Sequence, residues 1–253
     1  MSVSGKVAIV SGAAQGLGRA FAERLAEEGC SVLGFDVQES VTGIPGITGV
    51  VADVSKREDV ERVVAQATGM GDIGVLVNNA GAWKKTPVDS SWEQALADWE
   101  EIMDTNLKGV LMLSRAVVPH MKTAGGGYII NLSSYYVLPA KSDGTNPPDT
   151  DLYNASKWAL NGFTDAWAKY LDKDGIRVNG LCMGAVDTPM LRGLFPEKQL
   201  PADMAAMVMK AEDIAEQMMD LIASGRTGEN IGAWVSEPVT IGEQPPLHRR
   251  ITG

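Results

Sequence analysis

Seven short apolar runs rich in Val, Ile and Leu punctuate the chain, at residues 6–10, 31–36, 50–52, 73–77, 128–132, 176–182 and 231–235. Each is bounded by glycine or polar residues, the pattern of a strand buried on both faces of a parallel sheet. Between them the periodicity becomes helical. Leu17, Phe21 and Leu25 share one face of a first helix. A second is expected to be capped by Ser55, with Glu58 completing a capping box, and to run through about Ala67. Residues 96–123 read as one long helix with apolar positions at Met103, Leu107, Val110, Leu111, Val117, Val118 and Met121. A later helix carries Leu160, Phe163, Trp167 and Leu171, and a last one spans 211–223. The Gly- and Pro-containing stretch 37–49 leaves little room for a crossover helix. This alternation indicates an α/β fold: a doubly wound parallel sheet of about seven strands with right-handed crossovers, flanked by helices on both faces.

Composition narrows the function. The 253 residues suit one large domain spanning 1–253, and 45% hydrophobic residues supply its core. A formal net charge of −10 argues against a nucleic-acid partner, which requires a basic face. The basic cluster His248-Arg249-Arg250 reads as a solvated tail. No run of 18 apolar residues and no leader pattern is found, so neither a membrane span nor a signal peptide is expected. Cys30 and Cys182 lack a spacing motif and fit reduced core thiols of a cytoplasmic protein. With only His120 and His248 present, a metal site or a Ser-His-Asp triad is disfavoured, which removes most hydrolase chemistries.

Candidate chemistry gathers at the ends of the strands. After the first strand, Gly12, Gly16 and Gly18 lead directly into a helix. Strand, glycine loop and helix N-terminus together suit a pyrophosphate, because the backbone can approach closely and the helix offers unpaired N–H groups. The second strand ends at Asp36, where a carboxylate accepts hydrogen bonds from ribose hydroxyls and repels a 2′-phosphate. Val37 follows in place of an arginine, and Gln15 occupies the loop position open to a basic residue. These features favour NAD over NADP. Asn78-Asn79-Ala80-Gly81 closes the fourth strand, Ser133-Ser134 the fifth, and Asn106 interrupts an apolar stripe. Tyr153 and Lys157 stand four apart on one helix face. An ammonium beside a phenol lowers its pKa from about 10 and makes a proton-transfer device. Taken alone, the pair also fits an ordinary amphipathic helix. The methionine-rich, Pro-interrupted region 189–210 suits a mobile substrate lid.

These motifs, in this order, resemble the single-domain short-chain dehydrogenase/reductase family along nearly the whole chain: Gly12-x-x-x-Gly16-x-Gly18, Asp53-Val54, Asn78-Asn79-Ala80-Gly81, Asn106, Ser134, Tyr153-x-x-x-Lys157 and Val186-Asp187-Thr188. The resemblance implies a Rossmann-like sheet and a role for each matched residue. Tyr153 would be the general acid/base, and Lys157 would lower its pKa and hold the nicotinamide ribose. Ser134 would hydrogen-bond the substrate oxygen. Asn106 would hold, through its backbone, a water linking Lys157 to solvent. Gly12, Gly16 and Gly18 would shape the phosphate loop with Gln15 and Leu17. Asp36 and Val37 would flank the adenosine ribose, and Asp53 and Val54 the adenine. Asn79, Ala80 and Gly81 would lie along the cofactor, and Val186 and Thr188 would bind the carboxamide.

Three departures from the family pattern stand out. Ser134 and Tyr153 stand 19 positions apart, an interval that implies an insertion at 141–150. Met183 replaces a proline after the sixth strand, and the C-terminal end lacks Asp-Gly-Gly. The expected activity is NAD-dependent interconversion of a secondary alcohol and a ketone, the substrate being apolar and cyclic, aromatic, terpenoid or steroid-like. Its pocket would be lined by Trp83, Tyr135, Tyr136, Leu138, Met183, Met190, Leu194 and Phe195. Lys84-Lys85 could favour an anionic group at the mouth, although a solvated pair also fits. A cofactor-binding sensor without turnover is the rival reading, and the presence of Ser134, Tyr153 and Lys157 weighs against it. The family resemblance also implies a homotetramer or homodimer packed through the two long helices, with Trp99 and Trp158 at such contacts.

Overall fold

The structure, a computed structural model, describes residues 2–138 and 147–244. Seven parallel strands, β1 (Val7–Ser11), β2 (Ser31–Asp36), β3 (Thr48–Val51), β4 (Ile73–Asn78), β5 (Gly127–Ser134), β6 (Ile176–Met183) and β7 (Asn230–Ala233), lie in the order β3-β2-β1-β4-β5-β6-β7. The inner strands β1, β4 and β5 are buried along their full length, which is why they read as unbroken apolar runs rather than alternating ones. Helices α1 (Gly16–Glu27) and α6 (Ala211–Ser224) pack on one face through Phe21, Leu25, Ile214 and Met218. On the other face, α2 (Arg57–Met70), α4 (Gly109–Thr123) and α5 (Asp151–Leu171) pack through Val60, Val64, Leu113, Val117 and Leu171. The expected doubly wound sheet is therefore present.

The chain runs outward from β1 to β3 and then restarts at β4 on the other side of β1. The crevice at this reversal, beyond the carboxyl ends of the strands, is where open α/β sheets bind ligands. The glycine loop after β1 and the Asn78–Gly81 turn after β4 both open onto it.

Two helix expectations are corrected. Ser55 does not cap α2: its hydroxyl and amide are both captured by Asp53 Oδ1, at 2.7 and 2.9 Å, and the helix starts two residues later with Lys56 at the cap position. The segment 96–123 is not one helix. It begins earlier, as α3 (Trp92–Met103), passes through a π-helical turn (Asp104–Lys108), and resumes as α4. The π turn absorbs one extra residue per turn and carries Asn106 inward, where its amide is held by groups outside the helix. Strand ends shift by one or two residues, most at β3, β5 and β7. Most of the 141–150 insertion, and the His248-Arg249-Arg250 cluster, lie outside the described residues.

Cys30 and Cys182 are buried and unpaired by disulfides. Among the described residues no group of three or more His, Cys, Asp or Glu is placed to hold a metal, and no helix is long and apolar enough to cross a membrane.

Candidate active site

A cleft of about 810 Å³ follows the topological reversal and continues beneath the 189–204 segment. Its dinucleotide end is built from crossed hydrogen bonds. Ser11 Oγ accepts from the amides of Asn79 and Ala80, both at 3.0 Å, and Asn79 Nδ2 donates to the carbonyls of Ser11 and Gly12 at 2.9 and 3.1 Å. The two turns are thereby tied into one surface. Gly12 has φ +67°, in the left-handed region, and a Cβ on Gly18 would collide with the Gly12 carbonyl oxygen and with Asn79 Nδ2. The sequence places glycine where the backbone must approach itself. Gln15 supplies no side-chain cap to α1, so the first-turn amides remain available to an anion. This cradle, which any side chain would fill, fits a pyrophosphate.

Asp36, 8% exposed at the end of β2, accepts from the amide of Ala14 at 3.1 Å and of Gln38 at 3.0 Å. It therefore holds the turn beside the glycine loop and also lines the cleft. Lys157 is the only cation among the described residues that line the cleft, whereas Asp36, Asp53, Glu100, Glu101 and Asp104 are there with negative charge. Asp53 is also internally engaged, through Ser55 and through its amide to Asp59 Oδ2 at 2.8 Å. The residues present fit a dinucleotide.

At the other end, α5 brings Tyr153 and Lys157 under the C-terminal end of β5. Ser134, the last residue of that strand, hydrogen-bonds the Tyr153 hydroxyl, and its Oγ also accepts from Tyr136 N at 3.4 Å. Burial pushes the Tyr153 phenol up to about 12, with the Ser134 hydrogen bond pulling the other way. Lys157 is 6% exposed, donates to Leu132 O at 2.7 Å, and is brought down by burial from 10.5 to about 8. The expectation that Lys157 lowers the phenol is corrected here. The ammonium lies 5.6 Å from the centre of the Tyr153 ring and is spent on a carbonyl, so desolvation of the phenol dominates. Cys182, next to Lys157, adds no negative charge, since burial pushes its thiol up to about 12.

Asn106 is 1% exposed and does not line the cleft. Its Oδ1 accepts from Ala82 N at 2.7 Å, and its Nδ2 donates to Ala82 O at 2.9 Å and to Ser156 Oγ at 3.1 Å. Ser156 in turn donates to the Tyr153 carbonyl at 2.7 Å. Gly18 also lies behind the cleft. The other sequence-predicted site residues, namely Gly12, Gln15, Gly16, Leu17, Asp36, Val37, Asp53, Val54, Asn79, Ala80, Gly81, Ser134, Tyr153, Lys157, Val186 and Thr188, all line it.

Of the expected substrate-side residues, all but Leu138 line the cleft. Tyr136 stands edge-on to Tyr153, ring centres 6.3 Å apart. Lys84 and Lys85 are not a free pair: Lys84 bridges Asp98 and Glu101 at 2.6 and 2.9 Å, and Lys85 meets Asp149 at 2.8 Å. Thr188 caps the short turn Pro189–Arg192, and Arg192 pairs with both oxygens of Asp187 at 2.6 and 2.8 Å. Sequence reasoning missed a buried polar string in which Asn78 Nδ2 donates to Ser114 Oγ and Asn131 Oδ1, and Asn131 Nδ2 to Thr164 Oγ1. Its signal was a single amide inside each of two apolar strands, because a buried amide needs partners.

A family model described as short chain dehydrogenase matches residues 6–199. The 3-oxoacyl-(acyl-carrier-protein) reductase FabG of Thermotoga maritima is 33% identical over 249 residues, covering 92% of this chain and 97% of that protein. Dehydrogenase/reductase SDR family member 4 of Homo sapiens is 35% identical over 213 residues, covering 80% of this chain and 73% of its own. The crystal structure of a 3-ketoacyl-(acyl-carrier-protein) reductase from Brucella melitensis complexed with NADH superposes with a TM-score of 0.76 at 29% identity, covering 92% of this chain and 98% of that one.

Proposed function

The chain belongs to the short-chain dehydrogenase family, an enzyme family of oxidoreductases, and on that footing we propose that it interconverts a secondary alcohol and a ketone with NAD as cofactor. The observation that carries this reading is the convergence of Ser134, Tyr153 and Lys157 at the end of a cleft whose other end is a pyrophosphate cradle. A bound nicotinamide supplies the hydride acceptor or donor. The chain's own residues do the rest. Tyr153 delivers a proton to the carbonyl oxygen in reduction and takes one from the hydroxyl in oxidation. Ser134 shares its hydroxyl between the phenol and the substrate oxygen, fixing that oxygen and stabilising its charge. Lys157, which lines the cleft beside Tyr153, would hold the ribose hydroxyls of the bound cofactor. With burial holding the phenol up to about 12 in the cofactor-free protein, Tyr153 carries its proton at neutral pH.

Asp36, with no cation beside it in the cleft among the described residues, supports NAD over NADP, and a structural relative was solved with NADH. The substrate wall of Trp83, Tyr135, Tyr136, Met190, Leu194 and Phe195 supports an apolar, ring-containing substrate. Of the acidic residues at the cleft, Glu101 and Asp104 are paired with Lys84 and Lys108, so the rim offers little net charge to select for or against an anionic substrate. The activity printed for the reductase relatives is the second reading, favoured by their coverage of the chain. Trp99 on α3 and Trp158 on α5, 50% and 45% exposed, support assembly into a dimer or tetramer through the α3–α4 segment and α5, and two buried free thiols suit the cytoplasm. A screen of secondary alcohols and ketones, followed by the absorbance of the reduced cofactor, tests the reading. Turnover of an apolar cyclic alcohol with NAD supports it, and turnover only of acyl-carrier-protein thioesters with NADPH would overturn it.

A further inference from the structure

We infer that Thr86 is a positioning residue for Tyr153, capping from a distant segment the helix that carries it. This rests on Tyr153 being the proton-transfer residue. Helix α5 starts at Asp151, and its first-turn amides need acceptors. The residue at the cap position does not supply one. Thr150, fully buried, turns its hydroxyl away, donating to Pro147 O at 2.9 Å and accepting from Asn154 Nδ2 at 3.1 Å.

The Leu152 amide is shared between two acceptors, Asp151 Oδ1 at 2.7 Å and, from 66 residues earlier in the chain, Thr86 Oγ1 at 3.3 Å. Thr86 Oγ1 also donates to that Asp151 oxygen at 2.6 Å, so it holds the capping carboxylate as well as the amide. The Thr86 amide donates to Asp149 O at 2.7 Å, and Thr86 pairs with Thr150 in an isolated parallel bridge. Thr86 itself is buried, at 3% exposure, and its hydroxyl bonds to Asp151 and Leu152 are part-buried. Its segment continues the turn that begins at Asn79 and passes through Trp83 along the cleft. The clamp therefore joins the dinucleotide wall to the residue immediately before Tyr153. Ser134 sits on β5 and does not depend on this clamp. If the first turn of α5 loosens, the phenol moves and its hydrogen-bond partner does not.

The test compares Thr86→Val, which keeps shape and removes the hydroxyl, with Thr86→Ser, which keeps the hydroxyl. Thr86→Val is expected to lower kcat about tenfold, because small misplacements of a reacting group are costly. NADH affinity should stay within about twofold. The alkaline titration of Tyr153, read as ultraviolet difference absorbance against Tyr153→Phe, should shift in Thr86→Val and return in Thr86→Ser. Should Thr86→Val fail to fold, Asp151→Ala removes the other half of the bond and should shift kcat and the phenol titration in the same direction. An unchanged kcat and titration in these variants, or a Thr86→Ser as impaired as Thr86→Val, would overturn the inference. If the wild type turns over no alcohol or ketone, the oxidoreductase reading falls by itself. The phenol titration then decides the clamp: a shift supports it and no shift overturns it.

Discussion

The two walls of the cleft keep their shape by different means. On the dinucleotide side, segments far apart in sequence are bonded to one another: Ser11 to Asn79 and Ala80, and Asp36 to Ala14. On the lid side the polar bonds are local. Thr188 caps its own turn, Arg192 pairs with Asp187 five residues away, and the segment rejoins the body through backbone bonds between Ala185–Asp187 and Met209. Met190, Leu194 and Met207 remain 45–48% exposed, and Glu197 and Lys198 sit at positive φ. A long-range polar network specifies one geometry, whereas a wall of short turns and methionines can repack around different ligands. On the proposed reading, the first wall holds the cofactor in one geometry and the second adjusts to the substrate.

Substitutions at each wall can break or sharpen that contrast. The largest effect is expected at the reacting centre, where Ser134→Ala should lower kcat by about 10²- to 10³-fold with little change in NADH affinity, measured by steady-state rates and fluorescence titration. Next, Asp36→Asn should narrow the preference for NADH over NADPH by about 10- to 100-fold, seen as a ratio of dissociation constants. Lys157→Met should abolish ribose holding yet stabilise the cofactor-free protein by about 2 kcal/mol at neutral pH. The sign follows from its lowered pKa. Between pH 8 and 10.5 the unfolded chain holds the Lys157 proton and the folded one does not, so wild-type stability rises with pH across that window. The advantage of Lys157→Met should therefore vanish above it, as denaturant melts at both pH values would show. Smallest, Phe195→Ala on the lid should raise KM roughly three- to tenfold and leave kcat nearly unchanged.

Sequence carried the sheet well, because buried parallel strands appear as apolar runs and glycine marks close backbone approach at Gly12 and Gly18. It carried less of what depends on partners far along the chain. Asn106 was visible as a polar break in an apolar stripe, but the π turn that delivers it to Ala82 and Ser156 was not, since no local pattern encodes one inserted residue. Ser55 and Glu58 formed a plausible capping box that failed because Asp53 competes for the hydroxyl at shorter range. The pKa of Tyr153 was misjudged for a similar reason: spacing puts Lys157 on the right face but says nothing of the Leu132 carbonyl that accepts its hydrogen bond. Thr86 gave no signal at all, being an ordinary threonine in a loop until the fold brings it to Leu152.

The central claim is that Tyr153 transfers the proton at an NAD-bound alcohol or ketone. Its most direct measurement follows the reduced-nicotinamide absorbance in wild type and Tyr153→Phe, at matched NADH occupancy fixed by fluorescence titration. Wild type should turn over and Tyr153→Phe should bind NADH with similar affinity while losing at least about 10³-fold in kcat. A Tyr153→Phe variant that turns over as fast as wild type would contradict it.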